Sequence, residues 1–250
     1  SREKQWGKKK MFKEGQAKQV LDTLFFDFID LAKKLQPKVV IAENVKGLLL
    51  GSAKSYVRQI YREMDQAGYY CQHWLLKASK MGVPQRRERV FFICLRKDLA
   101  KQFLQHKDFF TYSPGLDLNF KENEIPFKDF DSGLNGKPLN DFVKIHYDYV
   151  KTGESVGNYL RRQGLKDTLF SYQKVDPSKP LKTITASESG EFRNDGAYFI
   201  HDNDIILGGS FPTDYNFLKF NVKYLIGMSV PPVMTARIAQ RIYDQWLSKL

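Results

Sequence analysis

Met81-Gly82-Val83-Pro84-Gln85-Arg86-Arg87-Glu88-Arg89-Val90-Phe91-Phe92-Ile93 is the stretch from which the fold can be read. A glycine and a proline break whatever precedes it, and four apolar residues close it in a run suited to a buried strand. In an extended chain side chains alternate between faces, so Gln85, Arg87 and Arg89 share one face and Arg86 and Glu88 the other. Two guanidiniums and an amide at the mouth of an apolar strand form a ready set of donors for a carboxylate, a phosphate or a carbonyl oxygen. The same residues also suit an exposed charge cluster at a strand end.

Upstream, Leu24, Phe28, Leu31 and Leu35 recur at helical spacing, which predicts an amphipathic helix over Thr23–Leu35, with Lys33 and Lys34 near its C-terminal end and Pro37 beyond it. Val39-Val40-Ile41-Ala42 then reads as a short buried strand that ends in Glu43-Asn44-Val45. A helix followed closely by an apolar strand is the repeating half of an α/β sheet, and such sheets place their ligands just past the carboxyl ends of their strands. Glu43 sits there, although a cap or turn would use a carboxylate at the same position. After a turn over Gly47–Ser52, Tyr56, Ile60 and Met64 mark a second helix, which Gly68 stops. Tyr69–Ala78 and Val90–Leu95 follow as strands, joined closely enough to pair antiparallel.

From about Lys101 to Asn221 the composition turns to Asp, Lys, Gly, Ser and Asn with isolated aromatics, which predicts a loop-heavy, mostly β region and a second, smaller domain. Arg161-Arg162 and Lys174–Lys182 are basic spots within it. Gly227-Met228-Ser229-Val230-Pro231-Pro232 is a turn with a proline suited to a first helical position. Met234, Ile238, Ile242 and Trp246 then form a stripe expected to pack on the sheet of the first hundred residues.

Lys and Arg number 40 against 28 Asp and Glu, a formal charge of +12. An excess of this size favours a polyanionic partner, nucleic acid first and an anionic membrane surface second. No apolar run approaches the roughly 18 residues of a membrane span, and no leader resembles a signal peptide. Cys71 and Cys94 lie in strand-like segments without CxxC spacing, which argues against a disulfide scaffold or zinc site and fits a reducing cytoplasm. Four scattered histidines make a metal unexpected. The chain starts at Ser1 within a Lys-rich stretch (Arg2–Gln19) read as a basic loop, so something is expected to precede it.

Glu43-Asn44-Val45, Gln85-x-Arg87-x-Arg89 and Gly227-x-Ser229-Val230-x-Pro232 form an ordered set that closely resembles the DNA (cytosine-5)-methyltransferase family. TLFFDFIDLAKKLQPKVVIAENVKGL, GVPQRRERVFFI and GSFPTDYNF resemble it as well. The resemblance covers residues from about 20 to 98 and from about 174 to 250. It implies an α/β fold: the second half of a Rossmann-like S-adenosylmethionine-dependent methyltransferase sheet (1–100), a smaller, mostly β target-recognition domain (101–220) and a closing helix (221–250). It also implies S-adenosylmethionine as methyl donor, no metal, and double-stranded DNA as partner, as in restriction–modification.

The family's chemistry gives each residue type its reason. Cytosine C5 is a poor nucleophile, so a Cys thiolate adds to C6, C5 becomes enamine-like and is methylated, and loss of the C5 proton releases the enzyme. Electron density moves to N3 and O2 of the ring, where a carboxyl group and a guanidinium stabilise it. By correspondence Glu43 serves N3 and Arg89 serves O2. Arg87 positions the carboxylate or a phosphate, and Asn44 helps fix the loop and is a candidate to reach the base. Ser229 and Val230 border the cofactor. Thr185–Arg193 corresponds to a loop that enters the major groove, with Ser187, Arg193 and Gln85 as DNA contacts. Reaching C6 requires the base to leave the stack, for which a basic cleft between two domains is suited.

Three departures from the family pattern stand out. The Gly-rich cofactor loop and the Pro-Cys-Gln nucleophile motif are not in this sequence, and neither cysteine follows a proline. The resemblance therefore implies an upstream segment or separate subunit that supplies the nucleophile and cofactor loop, with this chain alone inactive. Met228 replaces the usual Asn of Gly-Asn. The Arg-x-Leu-x-Pro-Arg-Glu scaffold is not found between Tyr198 and Phe211. A non-catalytic DNA-binding or specificity subunit derived from such an enzyme is the alternative reading.

Overall fold

The computed structural model describes residues 24–50, 53–106, 112–166, 168–169 and 171–250; the basic stretch 2–19, Thr23 and Ser52 lie outside them. The chain divides into two units. One takes the described residues up to Leu76, Glu88–Leu118 and Arg241–Leu250, and the other takes Lys77–Arg87 and Asn119–Gln240. A single division near Lys101 therefore does not describe the chain. The segment 77–87 leaves the first unit because its backbone pairs with the second: Arg86 N donates to Leu181 O (2.8 Å) and Leu181 N to Pro84 O (3.0 Å).

The first unit runs α1 (Leu24–Leu35), β1 (Val39–Val45), α2 (Lys54–Gln66), β2 (Tyr69–Lys77, whose last residue falls in the second unit), β3 (Glu88–Arg96), β4 (Leu104–His106) and β5 (Tyr112–Pro114). Its sheet has the order β1-β3-β2. The apolar run after the arginines is thus the central strand, and Val90–Leu95 are all buried. β3 runs antiparallel to β1, with Val45 opposite Arg89 and Val39 opposite Leu95. β1 lies at one end of this order, which is why it is not the buried strand its composition suggested: only Val40 is buried, and Ile41 and Val45 are exposed.

α1 forms where expected but turns a different face inward. Phe25, Ile29 and Ala32 are buried, whereas Leu24, Leu31 and Leu35 are exposed. The segment is apolar at so many positions that two overlapping stripes satisfy helical spacing. The aromatic contact decides between them, Phe25 meeting Phe92 of β3 edge-on at 5.4 Å between ring centroids. On α2, Val57, Ile60 and Met64 point into the same core. Gly68 ends that helix at φ +92°, a left-handed conformation a side chain disfavours.

The second unit contains β6 (Asn135–Pro138), α3 (Asp141–Lys144), α4 (Val156–Arg162), β7 (Gln173–Lys174), β8 (Glu191–Phe192), β9 (Tyr198–Ile200), α5 (Asp202–Gly208), α6 (Val222–Met228) and the start of α7 (Pro232–Gln245). The four short strands pair in the order β6-β9-β8-β7. They are two to four residues long and the helices α4 and α5 seven each, so the region expected to be mostly β is mixed. Between Tyr198 and Phe211, α5 is capped by His201 and Asp204. The buried Asp204 carboxylate accepts from His201 N (3.1 Å) and Ser132 N (2.8 Å). Lys174, read as part of a basic spot, is buried and donates to Tyr147 O at 2.7 Å.

Pro232 opens α7 as anticipated, and Met234, Ile238, Ile242 and Trp246 are all buried. The helix passes into the first unit at Arg241. There Trp246 is fully enclosed with its indole N–H on Gly115 O at 2.7 Å, the partner a buried tryptophan needs. No described helix is long and apolar enough to cross a membrane.

Candidate active site

Glu43 and Arg89, forty-six positions apart in the sequence, meet at the end of the β1–β3 pair. Register sets this meeting: Arg89 lies opposite Val45, so Glu43, two residues back, is its diagonal neighbour on the same face. The Nε of Arg89 stands 2.8 Å from Oε1 of Glu43, with the side chains 15% and 31% exposed. Arg89 Nη1 also donates to Glu88 O (2.9 Å), which holds the guanidinium plane. On the opposite face Lys46 and Glu88 form a second, more exposed pair at 2.8 Å. Asn44 is on that opposite face too, its Oδ1 accepting from Val45 N (2.8 Å), so strand alternation separates it from the Glu43–Arg89 pair.

Arg87 is nearly fully buried in the second unit, and its guanidinium bonds three main-chain carbonyls: Ile184 O (2.9 Å), Gly227 O (3.1 Å) and Ser229 O (2.8 Å). It ties the Gly227–Ser229 turn to the segment at Ile184. Gly227 is glycine for a steric reason. A Cβ there would lie 2.3 Å from Ala186 N and Thr185 C, both backbone atoms. Two of the three motifs are therefore one clamp.

Gln85 belongs to the same seam. It is buried, its amide donates to Gly208 O (3.1 Å) and its carbonyl accepts from Ile184 N (3.0 Å), so both ends of the side chain expected to contact DNA are bonded inside the protein. Ser229 donates its hydroxyl to Leu225 O (2.7 Å), and Val230 is half-buried beside it. Met228, in place of the family's Asn, is exposed.

In the 185–193 segment, Ser187 is exposed and bonds Thr185 Oγ1 (2.7 Å) and Ser189 Oγ (3.0 Å). Arg193 is 4% exposed. Its guanidinium forks onto Asp195 (2.7 and 2.9 Å) and reaches Asp131 (2.8 Å) and Leu134 O (3.1 Å). The expectation that it contacts DNA meets a buried, fully engaged side chain. Asp195, two residues on, was legible as a partner; Asp131, sixty-two positions away, was not.

A residue that sequence reasoning missed is Glu191 of β8. Burial raises its carboxyl from the ordinary 4.5 to about 7, against the hydrogen bond from Lys182 N and the charges of Arg86 and Lys182 that lower it; Asp176 adds a small upward push. Because the folded value is raised, the penalty for ionising it is absent at pH 4, grows as pH rises through the range between the two values, and is complete above about 7. Glu191→Gln, which keeps the acceptor for Lys182 N, is expected to stabilise the protein by about 2 kcal/mol at pH 8 and hardly at all at pH 4. Denaturant midpoints at the two pH values check this, and an equal shift at both would contradict it.

Cys94 does not suit nucleophilic attack. Cys94 is enclosed in β3, and burial together with its neighbour Cys71 pushes its thiol well above the usual range. An attacking thiolate requires the opposite shift. Among the described residues no group of three or more His, Cys, Asp or Glu is placed to hold a metal ion.

The mixed α/β frame is shared with solved methyltransferase structures. A crystal structure of a prophage-encoded protein described as a DNA modification methyltransferase (E. coli) superposes with a TM-score of 0.61 at 19% identity, covering 90% of this chain and 74% of that one. The chain itself belongs to the C-5 cytosine-specific DNA methylase family, whose model matches residues 5–244. It is 28% identical over 241 residues to the type II methyltransferase M.NgoFVII of Neisseria gonorrhoeae, covering 88% of this chain and 62% of that protein. Over 149 residues it is 46% identical to M.FnuDI of Fusobacterium nucleatum, covering 57% of this chain and 42% of that protein. The chain thus spans less than two thirds of the length of either relative.

Proposed function

We propose that this chain carries the base-activating and target-reading parts of a DNA (cytosine-5)-methyltransferase that acts on a cytosine turned out of duplex DNA. The first unit is read as the second half of the Rossmann-like catalytic sheet and the loop-rich unit as the target-recognition domain. The observation that carries the reading is the 2.8 Å approach of Arg89 to Glu43. In it, Glu43 hydrogen-bonds N3 of the extruded ring and Arg89 donates toward O2, so the density that arrives when a thiolate adds to C6 meets a fixed donor set. Asn44 fixes the strand end through Val45 N, and Arg87 holds the carbonyls of Ile184, Gly227 and Ser229. Leaving the stack lets the ring reach the two side chains.

Family membership implies S-adenosylmethionine, which would supply the methyl group. Ser229 and Val230 fit the border of its site only. The Ser229 hydroxyl proton and carbonyl are bonded to Leu225 and Arg87, leaving acceptor capacity on Oγ, and Val230 offers apolar contact. The nucleophile is assigned to another segment or subunit because Cys71 and Cys94 are the chain's two cysteines and both lie within sheet strands.

The test is methyl transfer from radiolabelled S-adenosylmethionine to duplex DNA. The 250-residue chain alone is expected to give none, and addition of a methyltransferase segment bearing Pro-Cys-Gln and a Gly-rich loop to restore it. Turnover by the chain alone overturns the division of labour. DNA binding without restoration favours a non-catalytic specificity subunit.

A further inference from the structure

The loop 185–190 presents a line of hydroxyls, Thr185 to Ser187 to Ser189, linked at 2.7 and 3.0 Å. Short polar side chains give such a loop little apolar contact with which to hold a shape, so its order must come from hydrogen bonds made to it. α6 meets the loop at both ends, by close backbone contact at its start and by hydrogen bonds at its end. Toward the loop's start, Gly227 lies against the Thr185–Ala186 backbone. Toward its end, Lys223 Nζ donates to Ser189 O (2.5 Å) and Glu188 O (3.3 Å), and lies 5.5 Å from the centre of the Phe199 ring. Gly190 permits the approach, since a Cβ there would stand 2.6 Å from Lys223 Nζ. Residues 223 and 227 are four apart and therefore on one helix face.

We infer that Lys223 is a positioning residue for target recognition: with Gly227, one turn along α6, it sets the spacing at which the hydroxyls of Thr185, Ser187 and Ser189 meet duplex DNA. This rests on the reading of the 185–193 segment as the DNA-reading loop. Lys223 is not a phosphate contact. Its ammonium is turned onto main-chain carbonyls, and burial pushes it down to about 8 despite the opposing charges of Asp202, Glu188 and Glu191.

The experiment uses the full chain and a pool of short duplexes randomised over their central base pairs, with the bound fraction sequenced. Lys223→Met is expected to flatten enrichment of the preferred sequence about tenfold, with total affinity and its salt dependence unchanged. Lys223→Arg, which retains a charged donor at the carbonyls, is expected to restore the enrichment. Gly190→Ala, which displaces the ammonium without altering α6, is expected to flatten it as well and serves if Lys223→Met does not fold. Unchanged enrichment in Lys223→Met, or in Gly190→Ala where that variant is used, overturns the assignment, as does a loss of total affinity with a shallower salt slope. A wild-type chain that enriches no sequence overturns the DNA-reading assignment of the loop, and this inference with it.

Discussion

Arg89→Ala is expected to lower methyl transfer in the assembled enzyme by about a hundredfold or more, the effect typical of losing one donor from an oxyanion-type site. Affinity for duplex DNA should stay within a few fold, because the proposed role of this side chain is to serve the base and not the phosphates. Stability should hardly change: the pair with Glu43 is 15% and 31% exposed, and pairs open to solvent in this way contribute about 0.2–1 kcal/mol. Glu43→Gln separates the two roles of the carboxyl group. The amide keeps its shape but has no acidic proton to share with N3, so single-turnover methyl transfer should again fall by about two orders of magnitude. Single-turnover rates within threefold of wild type in either variant would remove both residues from the chemistry, whatever their separation.

That pairing was legible because two independent regularities point to it. Strand alternation placed Arg89 on a defined face, and the family motifs placed Glu43 beside the same ring; the β1–β3 register then brings them to 2.8 Å. Alternation failed for Gln85 and Arg87 in one instructive respect. Both take up donor positions as expected, but their acceptors are carbonyls of residues 184, 208, 227 and 229, about a hundred or more positions away, and no local pattern predicts a main-chain partner at that separation. Arg193 illustrates the same limit, since a solvated arginine and one locked onto Asp131 read alike in sequence. In α1 the difficulty was an excess of signal, two apolar stripes where the core accepts one. The second unit was the least legible, because strands of two to four residues are set by tertiary pairing and not by their own periodicity.

Arg87→Ala is expected to destabilise the second unit by about 3–5 kcal/mol, a large part of the stability of an ordinary domain. The estimate follows from its three acceptors. Hydrogen bonds to a charged group contribute about 1.5–3 kcal/mol each, and the carbonyls of Ile184, Gly227 and Ser229 would be left without this buried donor. Gly227→Ala attacks the same seam from the other side. Its Cβ must displace backbone at 2.3 Å, and neither Thr185 nor Ala186 can yield by rotating a side chain, so a cost of about 2 kcal/mol or more is expected. Since either change alone opens the contact between residues 184–186 and 227–229, the double variant should cost clearly less than the sum of the two, by about 1 kcal/mol or more. Denaturant unfolding supplies the cycle, and amide hydrogen exchange at 184–186 locates the opening. Strict additivity with unaltered exchange there would mean that Arg87 and Gly227 serve separate purposes and that the two motifs do not form one clamp.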